Sequence, residues 1–180
     1  MTVLVNGAAG GVGHFAVQLA KWKGARVIAV ASGAHESFLR ELGADEFIDY
    51  TRSRPEEAAR DVDLVLDTVG GRDSSRFLRS LKRSGALFPV FFGEYDPDDA
   101  ARLGVTISGT QVRSNGPQLA TLGHLLDEQV RPRGPQPAYR VGAGTVRVGI
   151  DSTFPLSEAR AAHERAARGH IQGKIVLTVA

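Results

Sequence analysis

The sequence predicts an α/β domain built on a doubly wound, mostly parallel sheet, and three observations predict it. Apolar runs of strand length alternate with segments of helical period almost from end to end. Runs such as Leu64-Val65-Leu66 are apolar at every position, as strands covered by helices on both faces must be. Gly24, Gly43 and Gly85 stand where the helical segments should stop. Strands joined through helices imply right-handed crossovers, hence a parallel sheet. At 180 residues the chain is long enough for one well-buried domain, and all of 1–180 is expected to form it.

Each element follows from pattern. Val3–Asn6 reads as the first strand. Beyond a glycine-rich turn, Val12, Phe15, Ala16 and Leu19 fall at helical spacing and predict the inner face of the first helix. Val27–Ala31 is the second strand. Phe38, Leu39 and Leu42 mark the next helix, and Glu46–Asp49 the third strand. Ser53-Arg54-Pro55-Glu56 has capping-box spacing and should open a short helix through Arg60. Leu64–Thr68 is the fourth strand, followed by a helix carrying Phe77, Leu78 and Leu81. Ala86–Phe92 and Val105–Thr110 are strands five and six. A helix from Pro117 to Glu128 should bury Leu119, Leu122, Leu125 and Leu126. Arg131–Gly144 holds three prolines and three glycines and reads as an irregular loop. A strand at Val146–Ile150, a helix capped by Ser157 and a strand at Lys174–Val179 complete the chain.

Composition removes several classes of function. The 22 basic and 20 acidic residues are interspersed, with no basic stripe, so nucleic acid is not an expected partner. The absence of cysteine excludes disulfides, thiolate catalysis and cysteine-ligated zinc, and no metal site is expected. No apolar run approaches the ~20 residues of a membrane-spanning helix, and Met1 leads straight into Val3-Leu4-Val5 without a signal-peptide pattern. A cytoplasmic protein without membrane partners is expected.

Gly7-Ala8-Ala9-Gly10-Gly11-Val12-Gly13 carries the functional reading. It follows a strand and opens a helix, and Ala8, Gly10 and Gly13 occupy the three positions of the G-x-G-x-x-G fingerprint. A small residue at 8 lets the chain turn, an absent side chain at 10 lets backbone approach a pyrophosphate, and one at 13 lets helix pack on strand. The amides of the helix N-terminus then face the phosphates. Ala8, Ala9, Gly10, Gly11, Val12 and Gly13 are therefore candidate cofactor-binding residues of a Rossmann-type domain. A Walker phosphate loop is excluded, because no G-x-x-x-x-G-K-[ST] occurs.

Together with Leu42-Gly43-Ala44-Asp45, Ile48-Asp49-Tyr50 and Asp63–Gly71, this turn resembles the zinc-independent quinone oxidoreductase branch of the medium-chain dehydrogenase/reductase superfamily. Phe154-Pro155-Leu156, Ala162-His163 and Gly173-Lys174-Ile175-Val176-Leu177 are similar to the same family's carboxyl terminus. The resemblance implies hydride transfer between a nicotinamide cofactor and a small-molecule quinone or activated enone. It also implies a GroES-like catalytic domain ahead of the glycine turn, which this sequence does not contain, and makes 131–144 look like an insertion. The chain alone is accordingly expected to bind cofactor and to turn over little. A stand-alone nucleotide-binding or dimerisation module without catalysis is the alternative. In the family the edge strand joins two subunits, so 105–110 is expected to form a homodimer.

For the cofactor, an NAD-preferring domain places Asp or Glu at the end of the second strand. Here Ser32-Gly33-Ala34-His35 stands there, which permits a 2′-phosphate and puts NADP(H) ahead of NAD(H). Ser32, Gly33 and His35 are candidates for that end, with Tyr50, which resembles the family tyrosine of the 2′-phosphate pocket. The competing reading makes Ser32 and His35 solvated and Tyr50 a packing ring. Thr68, Val69, Gly70, Phe91 and Phe92 follow strands four and five at the carboxyl edge and are candidates for the nicotinamide side. Ordinary loop roles remain the alternative for them. The five histidines do not group with carboxylates and read as solvated, and Tyr-x-x-x-Lys is absent, so no catalytic residue is named.

Overall fold

Period-two alternation along the first strands sorts their side chains into two cores. In a computed structural model of the chain, residues 1–109, 112–127, 140–141 and 146–179 are described. Strand β1 (Thr2–Asn6) sends Val3 and Val5 to one face and Leu4 to the other. Strand β2 (Arg26–Ala31) does the same with Val27, Ala29 and Ala31 against Ile28 and Val30. With β3 (Glu46–Asp49), β4 (Val62–Asp67), β5 (Leu81–Pro89) and β6 (Thr106–Ile107) they form a parallel sheet in the order β3-β2-β1-β4-β5-β6. This doubly wound order reverses direction between β1 and β4, and there the carboxyl ends open a crevice.

Helix α1 (Gly13–Trp22) and α2 (Glu36–Glu41) pack on the face of Val3 and Val27. The opposite core gathers Leu4, Val62, Val65, Leu87, Phe77 and Leu78. Complete burial of a ring such as Phe77 contributes roughly 1.5–3 kcal/mol.

The remaining elements differ from the sequence reading for identifiable reasons. The buried face of α1 is Gly13, His14, Val17 and Gln18; of the expected stripe Ala16 packs against the core, Phe15 and Leu19 are partly buried, and Val12 is 48% exposed. On the buried side His14 Nδ1 lies 2.9 Å from Gly10 O, and the Gln18 amide bonds to the His14 carbonyl and to the Arg147 backbone. Residues 74–80 form a 3-10 helix, and β5 begins at Leu81, so Leu81 is a strand residue and Phe91 and Phe92 lie beyond the strand. Short α3 (Pro55–Ala58) is capped at Arg54; the Ser53 hydroxyl donates to the Asp49 carbonyl instead, 3.1 Å away. Helix α4 (Pro97–Leu103) was not anticipated, although Asp96-Pro97-Asp98-Asp99 is a helix start: the Asp96 carboxylate accepts from the Asp98 and Asp99 N–H groups.

Strand β6 is shorter than 105–110, and Thr110 lies outside the described residues. Helix α5 (Gly116–Asp127) buries Leu125 but leaves Leu119 70% exposed; Glu128 is outside the described residues. So is the 131–144 segment, apart from β7 (Arg140–Val141).

A second sheet of order β7-β8-β9 joins β8 (Val148–Pro155) and β9 (Lys174–Thr178), connected through α6 (Ala159–Ala167). A 3-10 turn at Leu156–Glu158 precedes α6, so Ser157 does not cap it. The sheet docks on the first helix through one side chain: Gln18 Nε2 donates to the Arg147 carbonyl at 2.9 Å and Oε1 accepts the Arg147 N–H at 2.7 Å. Gly173 N–H donates to Ala9 O at 2.8 Å.

Two glycines of similar φ test the packing between β8 and the start of β9. Gly173 (φ +79°) would drive a Cβ into the Gly149 carbonyl, whereas Gly24 (φ +77°) has open space around it. Gly24→Ala should cost about 1 kcal/mol, roughly 2–4 °C in Tm, from backbone strain alone. Gly173→Ala should cost at least twice that, and thermal denaturation of the pair measures the difference.

Candidate functional site

The turn after β1 is made at Gly7. Its φ is +74°, and a Cβ there would stand 2.5 Å from Thr68 Oγ1, so glycine is required both by conformation and by space. The sequence reading gave this role to Ala8; the structure instead buries Ala8 in the core, its N–H donating to Val30 O at 3.0 Å. At Gly13 a Cβ would overlap the Gly7 carbonyl, so its missing side chain is what lets α1 descend onto the turn. Gly10 differs: a Cβ would meet only the Gly7 oxygen, at 3.3 Å. Protein packing alone therefore does not demand glycine at 10, and the space faces the cleft. The Gly11 and Val12 N–H groups have no acceptor among the described residues, and α1 has no acidic residue in its first turn. Both features leave positive potential directed outward.

Above this turn stands Lys174. A Cβ on Gly11 would lie 2.8 Å from its Nζ, so an ammonium group from β9 sits over amides from the opposite end of the sequence. In sequence Lys174 belongs to the carboxyl-terminal block that resembles the family, and nothing beside it there signals a site residue. No spacing rule connects positions so distant, and only the docking of β9 reveals it.

A cleft of ≈ 770 Å³ runs along the carboxyl edge. Ala9, Gly10, Gly11, Val12, Ser32, His35, Tyr50, Thr68, Val69 and Gly70 line it, joined by Arg72, Arg76, His170 and Lys174. Of the other sequence candidates, Ala8 and Gly13 lie behind the turn, and Gly33 lies beside Asp49. Phe91 and Phe92 line a separate hollow. Ser32 and His35 are buried in the cleft wall, contrary to the competing reading of them as solvated and to the reading of every histidine as solvated, and Tyr50 is half exposed. Asp49 was missed as well. Its carboxylate accepts from the Thr51 N–H and hydroxyl and from the Gly33 N–H, and these bonds, led by Thr51, hold its pKa below the ordinary range.

A buried carboxylate fixes the other wall. Asp67 is fully buried at the end of β4, and Asn6 Nδ2 donates to its Oδ1 at 2.8 Å. Val69 and Gly70 N–H donate to the same oxygen, and the Tyr95 hydroxyl donates to Oδ2 at 2.9 Å. Burial pushes the Asp67 pKa up, but the four donors outweigh it and hold the group ionised below the usual range. Burial, with the adjacent carboxylate, pushes the Tyr95 phenol up to about 12.

His14 also departs from expectation. It is fully buried beneath the turn, its ring 4.0 Å from that of Phe15, with Nδ1 2.9 Å from Gly10 O and Nε2 without a partner. The carbonyl requires Nδ1 to carry the proton. Burial lowers its pKa, and nearby Lys174 lowers it further.

The family model described as zinc-binding dehydrogenase matches residues 42–177. The chain belongs to the medium-chain dehydrogenase/reductase superfamily, in its quinone oxidoreductase-like branch. It is 35% identical to the mitochondrial NAD(P)H oxidoreductase RTN4IP1 of Mus musculus, over 98% of this chain and 47% of the relative. Identity to the chloroplast envelope quinone oxidoreductase homolog of Arabidopsis thaliana is 32%, over 97% and 51%. Among solved structures, the quinone oxidoreductase from Coxiella burnetii superposes with a TM-score of 0.80 at 34% identity, covering 99% of this chain and 53% of that one. The chain thus spans about half the length of the relatives it matches. As for the zinc of the family description, this sequence has no cysteine, and among the described residues no three His, Asp or Glu side chains converge. The residues described do not fit a zinc site. No helix among them is long and apolar enough to cross a membrane.

His14 yields a pH prediction. Its pKa in the fold lies below 6.5, so the unfolded chain binds more protons as pH falls through that value, and stability drops with it. The Tm should decrease between pH 7 and 5. His14→Gln, which keeps a donor for Gly10 O, should flatten that limb in scanning calorimetry. Carboxylates such as Asp67 add their own losses only at lower pH.

Proposed function

We propose that the cleft binds NADP(H) and that the chain is the cofactor domain of an oxidoreductase passing hydride to a quinone or activated enone. The observation that supports this most directly is the phosphate seat: unpaired Gly11 and Val12 amides at a helix N-terminus, open space at Gly10, and the Lys174 ammonium above. A pyrophosphate would neutralise that ammonium and occupy those donors. Ser32, His35 and Tyr50 would hold the adenosine ribose end, while Thr68, Val69 and Gly70 face the other end of the crevice. When bound, the dihydronicotinamide supplies a hydride and the acceptor takes up a proton from solvent. The protein's residues bind, orient and exclude water. That the relatives are named NAD(P)H and quinone oxidoreductases supports the same reading.

NAD(H) is the second reading, favoured by the Asp49 carboxylate beside Gly33, which would repel a 2′-phosphate. Arg52 Nε stands 3.6 Å from that carboxylate and offsets part of its charge, so the NADP(H) reading is kept. Among the described residues β6 (Thr106–Ile107) is the edge strand of the sheet, which supports the further proposal of a homodimer with a continuous sheet. A light-scattering mass of one subunit at micromolar concentration would exclude it.

NADPH should raise the melting temperature by mass action. Gly10→Asp should abolish the shift, and Lys174→Ala should weaken binding roughly tenfold to a hundredfold, as loss of a charge-assisted contact does. Neither NADPH nor NADH moving the wild-type Tm would remove the dinucleotide reading.

Cofactor choice is tested separately. Ser32→Asp should weaken NADPH more than NADH, and Asp49→Asn should change the ratio in the opposite direction. Calorimetric titration of both cofactors gives the two ratios, and equal changes would place neither residue at the 2′ position.

A further inference from the structure

One wall of the cleft is not made by strand ends of the main sheet. Gly169, His170, Ile171 and Lys174 line it, from the turn between α6 and the start of β9. In that turn His170 is held at φ +51°, a left-handed conformation that a residue with a Cβ adopts at a cost. Such outliers persist only where the surroundings over-determine them, and they gather at functional sites. What holds this one is a pair of side chains that do not themselves line the cleft.

Asp151 stands in β8 at a bulge, where the register on β9 shifts between Ile150, the partner of Lys174, and Ser152, the partner of Ile175. A bulged residue is left out of the ladder, and bulges are common beside active sites. The Asp151 side chain is only 8% accessible, and both of its oxygens are engaged. Oδ2 accepts from the Ser152 hydroxyl at 3.0 Å, while Oδ1 accepts from Arg165 Nη2 and from the Gln172 N–H at 3.1 Å. Arg165, on α6, reaches the other end of the turn. Its Nη1 donates to Gly169 O at 2.9 Å, and Nη2 also lies 3.4 Å from His170 O.

We propose that Asp151 and Arg165 are positioning residues for the cofactor's phosphates, presetting the 169–173 turn so that Lys174 stands over the glycine turn before the ligand arrives; the inference rests on the dinucleotide reading of the cleft. The pair grips the turn at Gly169, His170 and Gln172, and the Gly173 N–H then closes on Ala9 O. The turn is thus tied to β8 on one side and to the phosphate seat on the other. A turn that the ligand had to order would lower affinity, whereas a preset one loses that freedom during folding. Arginine suits the task because its planar fork serves the Asp151 carboxylate and the Gly169 carbonyl together, which a lysine ammonium does not match.

The test titrates the full chain calorimetrically with NADPH and, separately, with inorganic pyrophosphate, well below every variant's melting temperature. Arg165→Lys and Asp151→Asn should each weaken both ligands about tenfold, as loss of a charge-assisted contact does. Arg160→Ala breaks an exposed pair with Glu164 on the same helix and should leave both affinities unchanged. In a Lys174→Ala chain the same two changes should weaken binding by less than about twofold, because nothing remains for them to position. Arg165→Lys keeps the charge and carries the test alone should Asp151→Asn not fold. A lowered Tm with unaltered affinity would overturn the proposal and leave the pair a stabiliser of the fold. Losses of undiminished size in the Lys174→Ala chain would overturn it too. Arg165-dependent pyrophosphate binding with neither NADPH nor NADH bound would sustain the positioning and remove the cofactor reading instead. A chain that binds none of the three would overturn both.

Discussion

The Asp67 carboxylate is the constraint on which the candidate site depends. Removing a charge from water is costly unless every lone pair finds a donor, and here the donors come from three places. Asn6 belongs to the strand that runs into the glycine turn, Val69 and Gly70 to the turn after β4, and Tyr95 to the segment beyond the Phe91–Phe92 loop. One desolvated charge thereby fixes the ends of two strands and a loop against each other. The arrangement places rigidity where a doubly wound sheet opens, at the reversal of strand order between β1 and β4.

Glycine has two distinct duties in the turn. Gly7 and Gly13 answer to the protein, one through positive φ and the other through contact of helix and turn. Gly10 answers to space on the outside. Fingerprint spacing alone cannot separate these duties, which is why the sequence reading assigned the turn to Ala8. Distances to a hypothetical Cβ separate them at once.

The sheet and its order of elements were legible because buried parallel strands carry an unambiguous signal: Val3–Asn6, Val27–Ala31 and Glu46–Asp49 coincide with β1, β2 and β3 to within a residue. Helices were read less well. Along α1 the buried side carries Val17 together with His14 and Gln18, polar residues whose partners come from Gly10 and from Arg147 far along the chain. Helix α4 carries no apolar periodicity that marks it in sequence; its start is written in aspartates and proline. Within the cleft, the local residues around the glycine turn were found from their spacing. Lys174, Asp49 and the Asp67 hub were not, since each acts through a neighbour brought up by tertiary folding. Phe91 and Phe92 were placed one loop too far inward because β5 starts and ends earlier than its apolar run suggests.

The bond from Gly173 N–H to Ala9 O, with Lys174 beside it, gives the glycine turn a temporal dimension. The turn leaves the ribosome among the first residues of this sequence, but its lid arrives with β9, among the last. At synthesis rates of about 5–20 residues per second, the phosphate seat stands half-built for roughly ten seconds or more. Contacts between such remote segments are also the slowest to close during folding. The seat proposed for phosphate thus waits on β9 for its ammonium group, and a molecule clipped ahead of β9 would lack the Lys174 side chain beside the glycine turn.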